Sequence, residues 1–199
     1  MASTSAASEE LLMTGLDPMT DEILEIACII TTPDLTPLGT NFTTTIHVPR
    51  SRLDQMGPWC TKTHLATGLT PKVLASTTTH EEAAEGLLDY IKSHVKQPRT
   101  ALLAGNTVHM DKAFLSRPPY DAVVEYLHYR ILDVSSIKEA ARRWCGPEIL
   151  EGAPAKKVGH RALDDILESI EEARYYMKRI FWPAGEVEVE ARPEKEIGA

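Results

Sequence analysis

The spacing of apolar residues changes period several times along the chain, and each change predicts an element. Leu163, Ile166, Leu167, Ile170, Met177 and Ile180, with Ala173 between them, form a 3.6-residue stripe that predicts a helix. Ala84, Leu87, Leu88, Ile91 and Val95 give the same period within His80–Val95. Ile23–Thr32 is a β-rich apolar run, a Pro33-Asp34 turn follows, and Thr40–Val48 alternates polar with apolar, which together predict a hairpin. Thr100–Ala104 and Tyr129–Val134 predict two further strands, the first ending in Gly105-Asn106. Short helical pieces are expected at 112–115 and 122–127, separated by Pro118-Pro119, and Ser135 offers a cap for a helix through Trp144. Residues 49–79 and 146–157 read as irregular. Glu9–Asp17 is a short apolar piece ending in a glycine turn. Residues 1–8 are small and polar, and residues 182–199 are rich in Pro, Gly and Glu, so both ends are expected to be disordered. The order of hairpin, helix, strand, helices, strand, helices predicts one α/β domain over residues 9–181, a mixed sheet with helices on its faces. Ligands in such folds collect at the carboxyl ends of strands.

Composition narrows the class. Hydrophobic residues make up 43% and charged residues 25% of the 199, an ordinary globular profile with a full core. No apolar run approaches the length of a membrane span, and the first ten residues resemble neither a secretory signal nor an Arg-rich transit peptide. Cys28, Cys60 and Cys145 are widely spaced and odd in number, as expected of reduced thiols in an intracellular protein, cytoplasmic or mitochondrial. The net charge of −8 argues against bulk binding of long nucleic acid. The acid is concentrated at the ends, however. Residues 1–22 carry five acids and no Lys or Arg, and residues 182–199 carry five Glu against one Arg and one Lys, which leaves the body neutral. A neutral body can hold a local anion site.

The candidate chemistry lies at the entrance to the last helix. His160 precedes it, and Asp164 and Asp165 occupy its first turn, off the apolar stripe, where the helix N-terminus favours negative charge. This spacing alone is also that of a capped helix with solvated acids, and it does not choose between the two aspartates. Asp111 follows the strand ending at Gly105. Acids at a strand end and a helix start can hold hard divalent cations through oxygen. Two such cations about 4 Å apart can clamp a phosphodiester and activate water, and a neutral histidine nearby can take the proton.

Four stretches carry a resemblance: Met13-Thr-Gly-Leu-Asp17, Leu103-Ala-Gly-Asn-Thr-Val-His-Met-Asp111, His128-Tyr-Arg-Ile-Leu-Asp-Val-Ser-Ser136 and His160-Arg-Ala-Leu-Asp-Asp165. In this order they resemble the oligoribonuclease family of DEDDh 3′–5′ exonucleases, from about Leu12 to Phe181. The resemblance implies a ribonuclease H-like fold, a homodimer, two divalent ions (Mg²⁺ or Mn²⁺) and degradation of short oligoribonucleotides to nucleotides. Position by position it implies Asp111 and Asp165 as metal ligands and His160 as general base. Leu16 and Trp59 resemble an apolar wedge on the bases, with His64 in the same pocket. Thr107, Arg130 and Ser135, with Tyr129 nearby, resemble a cap on the 5′ phosphate, which Arg and hydroxyl donors suit. Thr107 stands where Ser is usual. The remaining histidines, at 47, 80, 94, 109 and 128, read as surface or core residues.

The resemblance breaks at its first motif. The family places Asp-x-Glu directly before Met-Thr-Gly, and this chain has Glu10-Leu11-Leu12. Glu10 is an acid of greater length, and Leu12 cannot bind a metal. Upstream the family has an apolar strand, whereas this chain has Ser-Thr-Ser-Ala-Ala-Ser, so the central strand is expected to be shortened. The abrupt onset of the resemblance near Leu12 is the pattern of a shifted start or alternative exon; degeneration and substituted ligands are the other two readings. The function that follows is a 3′–5′ exoribonuclease with an impaired metal site containing Glu10, Asp111 and Asp165. The alternative is an inactive dimer that binds short 5′-phosphorylated RNA.

Overall fold

The structure is a computed structural model and describes residues 5–155 and 161–182. Five strands, β1 (Ala6–Met13), β2 (Ile23–Thr31), β3 (Phe42–Thr45), β4 (Leu102–Gly105) and β5 (His128–Asp133), form one mixed sheet in the order β3-β2-β1-β4-β5. β1 is central. It pairs antiparallel with β2 along its whole length and parallel with β4 through Ala6–Ser8, and β4 pairs parallel with β5.

This corrects the expectation for the amino terminus. β1 begins at Ala6, inside the stretch expected to be disordered, and runs for eight residues. The reason is the sheet. β2 is nine residues of buried chain, and without β1 the inner edges of both β2 and β4 would present unpaired backbone groups. Ala6, Ala7 and Ser8 supply that pairing with small side chains that fit between the helical layers. A register shift between Leu12 and Met13 then bends the strand toward the loop that follows.

Helices cover both faces. On one, Ala83, Ala84, Leu87 and Ile91 of α4 (His80–His94), Phe114 and Leu115 of α5 (His109–Leu115) and Val123 of α6 (Asp121–Tyr126) pack on Ala7, Leu11, Ile26, Cys28 and Ile30. On the other, α7 (Val134–Trp144) and α9 (Ala162–Tyr176) pack on Ala27 and Ile29. Thr79 starts α4 with a reciprocal capping box to Glu82. α7 is capped by the Asp133 side chain, which accepts from the Ser135 amide; Ser135 is therefore inside the helix and not its cap. The irregular stretch 49–79 contains α1 (Arg50–Leu53), α2 (Pro58–Ala66) and α3 (Leu69–Ala75), and the loop after α7 contains α8 (Pro147–Glu151). These helices are short, and the two longest lack a clear apolar stripe or a side-chain cap, so periodicity does not reveal them. A π-helical turn, Met177–Phe181, ends the described chain at Trp182. The expected tail beyond Trp182 lies outside the described residues. No helix among them is long and apolar enough to cross a membrane.

One residue opposes the core. Glu9 lies on the β1 face between Ala7 and Leu11, opposite Cys28 in register, fully buried, and neither carboxyl oxygen has a hydrogen-bond partner. Burial foremost, and the charge of Asp111 next, push its carboxyl up to about 8. Because the folded value is raised, this residue's contribution to stability is fully present below the ordinary value of 4.5 and is lost as pH rises through about 8. Glu9→Leu therefore raises the melting temperature by an amount that widens from pH 5 to pH 8.5. The gain at the alkaline end is a few kcal/mol, roughly 5–15 °C. Calorimetric melts of both proteins across that range check it, and a difference that stays constant with pH would contradict it.

Candidate active site

A cavity of about 610 Å³ opens beside the carboxyl end of β1. It is lined by Glu10 to Met13 of β1, by Leu16, Trp59 and His64, and by Asp165. Glu10 and Leu12 share the β1 face that looks toward α9, because alternate strand residues point the same way. Asp165 is in the first turn of α9, and Glu25 of β2 holds the start of that helix. Glu25 is buried, ion-paired with Arg161 at 3.3 Å, and accepts the Ala162 amide at 3.4 Å, which satisfies one of the open donors of the helix start.

Trp59 is placed by α2, which starts with Pro58 at its first position. Its side chain is 65% exposed and that of Leu16 72%, so neither is a core residue. His64, one turn further on, is 4% exposed. Its Nε2 lies 2.9 Å from the Met13 carbonyl, so Nε2–H donates there. Its Nδ1 is buried without a protein partner.

The loop bearing Leu16 is set by residues that periodicity does not single out. Asp21 Oδ1 accepts from the Thr14 hydroxyl at 2.8 Å and from Arg52 at 2.8 Å, and Oδ2 accepts the Asp17 amide at 3.0 Å. Burial works against the Asp21 carboxylate, but these donors together hold it below the usual range. A Cβ on Gly15 would meet the same carboxylate at 2.4 Å, so glycine is required there by close approach. The turn chemistry of Thr-Gly-Leu-Asp was the available signal for this loop; Arg52, 31 residues beyond Asp21, had none.

The remaining candidates fall into two groups. Asp111, in the first turn of α5, is 4% exposed and accepts the Leu11 amide at 3.1 Å. Burial foremost pushes its carboxyl up to about 7. It lies under β1, bound to the strand's backbone, and outside the lining of the cavity. Thr107 and Ser135 meet at the carboxyl ends of β4 and β5, hydroxyl to hydroxyl at 3.2 Å. Tyr129 and Arg130 are exposed on β5, with the guanidinium 5.2 Å from the ring centre. Lys112 of α5 donates to the Tyr129 carbonyl at 2.7 Å. His160 lies outside the described residues.

Among the described residues no group of three or more His, Cys, Asp or Glu side chains stands together to hold an ion. Leu12 presents an apolar side chain to the cavity, and Asp111 is turned to the strand backbone. Glu10 and Asp165 are the two acids that the cavity brings together.

A family model described as "Exonuclease" matches residues 13–173, from the end of β1 into α9. The chain belongs to that family. An oligoribonuclease of Mycobacterium sp. (strain KMS) is 48% identical over 169 residues, covering 85% of this chain and 78% of that protein. Among solved structures, E. coli exonuclease I in complex with a 5cy-dT13 oligonucleotide has the same fold, with a TM-score of 0.66, 16% identity, and coverage of 89% of this chain and 41% of that one. A zinc-ion-bound form of the E. coli exonuclease I–ssDNA complex gives a TM-score of 0.63 at 15% identity over 89% of this chain and 41% of its own. The chain thus spans about two-fifths of the length of these exonuclease I chains. Metal-bound members therefore occur among proteins of this fold. The family match begins at Met13, the last residue of β1.

Arg52 ties three acceptors of the Leu16 loop together, at Asp21, Thr14 and the Thr20 carbonyl. Arg52→Ala is expected to destabilise the protein by about 2–3 kcal/mol, since hydrogen bonds to charged groups contribute about 1.5–3 kcal/mol each. Faster amide exchange should be confined to residues 14–22. Exchange mass spectrometry that finds those amides unchanged would remove Arg52 from this role.

Proposed function

We propose that this chain is a 3′–5′ exoribonuclease that degrades short oligoribonucleotides to nucleotides, and that its hydrolysis depends on divalent Mg²⁺ or Mn²⁺ and is weak as the sequence stands. The observation that carries the reading is one cavity lined both by the acids Glu10 and Asp165 and by the exposed pair Leu16 and Trp59. Exposed apolar and aromatic side chains beside acids suit splayed bases next to a scissile phosphate, since stacking recognises a base without reading its edge. The name shared by the mycobacterial relative supports the substrate class. In this reading Leu16, Trp59 and His64 seat the bases and sugar. Thr107, Arg130 and Ser135, with Tyr129, receive the 5′ phosphate, and His160 takes the proton from water. Metal ligands would come from Asp111, Asp165 and Glu10, and the apolar Leu12 is why they fall short.

That same Leu12 favours a second reading, an inactive dimer that binds short 5′-phosphorylated RNA through the wedge and the cap. Release of mononucleotides from a short RNA separates the two. Replacing Leu12 by Glu and Glu10 by Asp restores an acid pair on one strand face. Losing even an outer partner of a metal site typically costs about 10–100-fold in affinity or activity, so the repaired chain should exceed the parent by at least that factor with Mn²⁺ or Mg²⁺. Equal rates in the two chains would show that Leu12 does not limit the reaction, and absence of cleavage in both would leave the binding reading.

The homodimer is part of the same proposal. β5 is an edge strand, and its Tyr129 and Arg130 stand exposed beside α7. Light scattering at micromolar concentration is expected to give twice the 22.0 kDa of one chain. A single-chain mass in a sample that melts cooperatively would overturn it.

A further inference from the structure

We infer that Cys60 and His64 form a binding site for a thiophilic divalent ion of the Zn²⁺ type, among the residues proposed to seat the bases, and that an ion bound there excludes the nucleotide. The ion site stands without the function proposed above, and the exclusion rests on it.

Both residues lie on α2, four positions apart, and both line the cavity of about 610 Å³. Residues at that spacing are neighbours on one helix face, with Cβ atoms about 5–6 Å apart. One ion bonded to sulfur at about 2.3 Å and to nitrogen at about 2.0–2.1 Å can span the gap. The same spacing puts two histidines on one zinc ion in helices that carry a His-Glu-x-x-His motif.

His64 is set up as a ligand. It is 4% exposed, and its Nδ1 has no hydrogen-bond partner. Buried polar atoms are nearly always paired, so an orphan of this kind needs a reason. The other ring nitrogen points to one. Nε2–H donates to the Met13 carbonyl at 2.9 Å, and Met13 lines the same cavity. A histidine that holds a metal through one nitrogen almost always donates its other N–H to a carbonyl, a carboxylate or water, and that bond fixes the ring. Nδ1 is the atom this arrangement leaves for an ion.

Cys60 supplies the soft donor. It is half-buried, between the cavity and the apolar cluster around Leu24, Val48 and Leu69. Burial foremost, and the charge of Asp21 next, push its thiol up. Such a thiol reacts slowly with oxidants, which disfavours an oxidation switch. A metal ion brings its own positive charge against both causes and takes the place of the thiol proton. The cavity thus holds two donor sets of different hardness. Glu10 and Asp165 offer oxygen, which suits Mg²⁺ and Mn²⁺, whereas Cys60 and His64 offer sulfur and nitrogen, which suit Zn²⁺. Two protein ligands leave the other positions to water, so this is an open, exchangeable site and not a structural zinc. Trp59 and Thr63 line the cavity beside the pair, so an ion held there takes up space assigned to the bases.

The test titrates Cd²⁺, a spectroscopic stand-in for Zn²⁺, into the full chain without Mg²⁺ or Mn²⁺ and reads the thiolate-to-cadmium charge-transfer absorption. A saturable band at one ion per chain is expected. Cys60→Ser should abolish it, and Cys60→Ala replaces that variant if serine at the edge of the apolar cluster unfolds the chain. His64→Gln should weaken binding at least about tenfold, since losing even an outer partner of a metal costs about 10–100-fold. Of the other thiols Cys28 is fully buried, so Cys145→Ser is the control and should keep the band. Glu10→Gln combined with Asp165→Asn should keep it too. A band that survives without Cys60, full affinity in His64→Gln, or a band lost with the two acids would overturn the site. A second arm measures diribonucleotide affinity by calorimetry, once in EDTA and once in Zn²⁺ at about ten times its own dissociation constant. Zn²⁺ should weaken the parent about tenfold and leave Cys60→Ser unaffected. Equal affinity of the parent in both conditions would overturn the exclusion. A parent that binds no diribonucleotide in either would overturn the proposed function and the exclusion with it, and the cadmium titration would still decide the ion site.

Discussion

The structure depends on hydrogen-bond satisfaction at the centre of the sheet. β2 on one side and β4 on the other each need a partner, and a central strand missing from that gap would leave two ladders open in the interior. This demand is met by backbone alone, which is why a segment reading Ala-Ala-Ser-Glu-Glu can fill it despite weak strand propensity and an acid in the core. Backbone pairing is indifferent to side chains, whereas burial is not. Glu9 carries that conflict, with its carboxyl kept neutral across ordinary pH by its surroundings.

The site inherits its form from the same strand. Once β1 is in place, Glu10 and Leu12 must look toward α9, and the start of α9 is fixed by Glu25 on the neighbouring strand. The cavity is lined by an exposed tryptophan, an exposed leucine and a buried histidine together with Glu10, Leu12 and Asp165.

The sequence makes the long, periodic elements legible. The stripe from Leu163 to Ile180 and the run Ile23–Thr32 are the helix and strand they predict, because each buries one continuous face. It misjudges elements whose stability comes from elsewhere. β1 is held by its neighbours' ladders, and α1 to α3 by a small cluster around Leu24, Val48 and Leu69 that no local period announces. Of the candidate residues, motif order brings Glu10, Asp165, Leu16, Trp59 and His64 to one cavity and Thr107 to Ser135. Asp21 with Arg52, and Asn106 with Glu172, are contacts between residues far apart in sequence, and only the folded chain brings them together.

Lys112 has a consequence for the sheet's border. β5 is the outer strand beside β4, and an outer strand ordinarily offers its backbone as a template for another chain. Here the Lys112 ammonium occupies the carbonyl of Tyr129, at the irregularity where pairing with β4 shifts, and the stacked Tyr129 and Arg130 side chains stand over the same stretch. At Tyr129 the strand therefore offers side chains and not a free carbonyl. Whatever approaches it meets a flat aromatic surface with a fixed positive charge, and the docking geometry is set by a ring and a guanidinium and not by strand register.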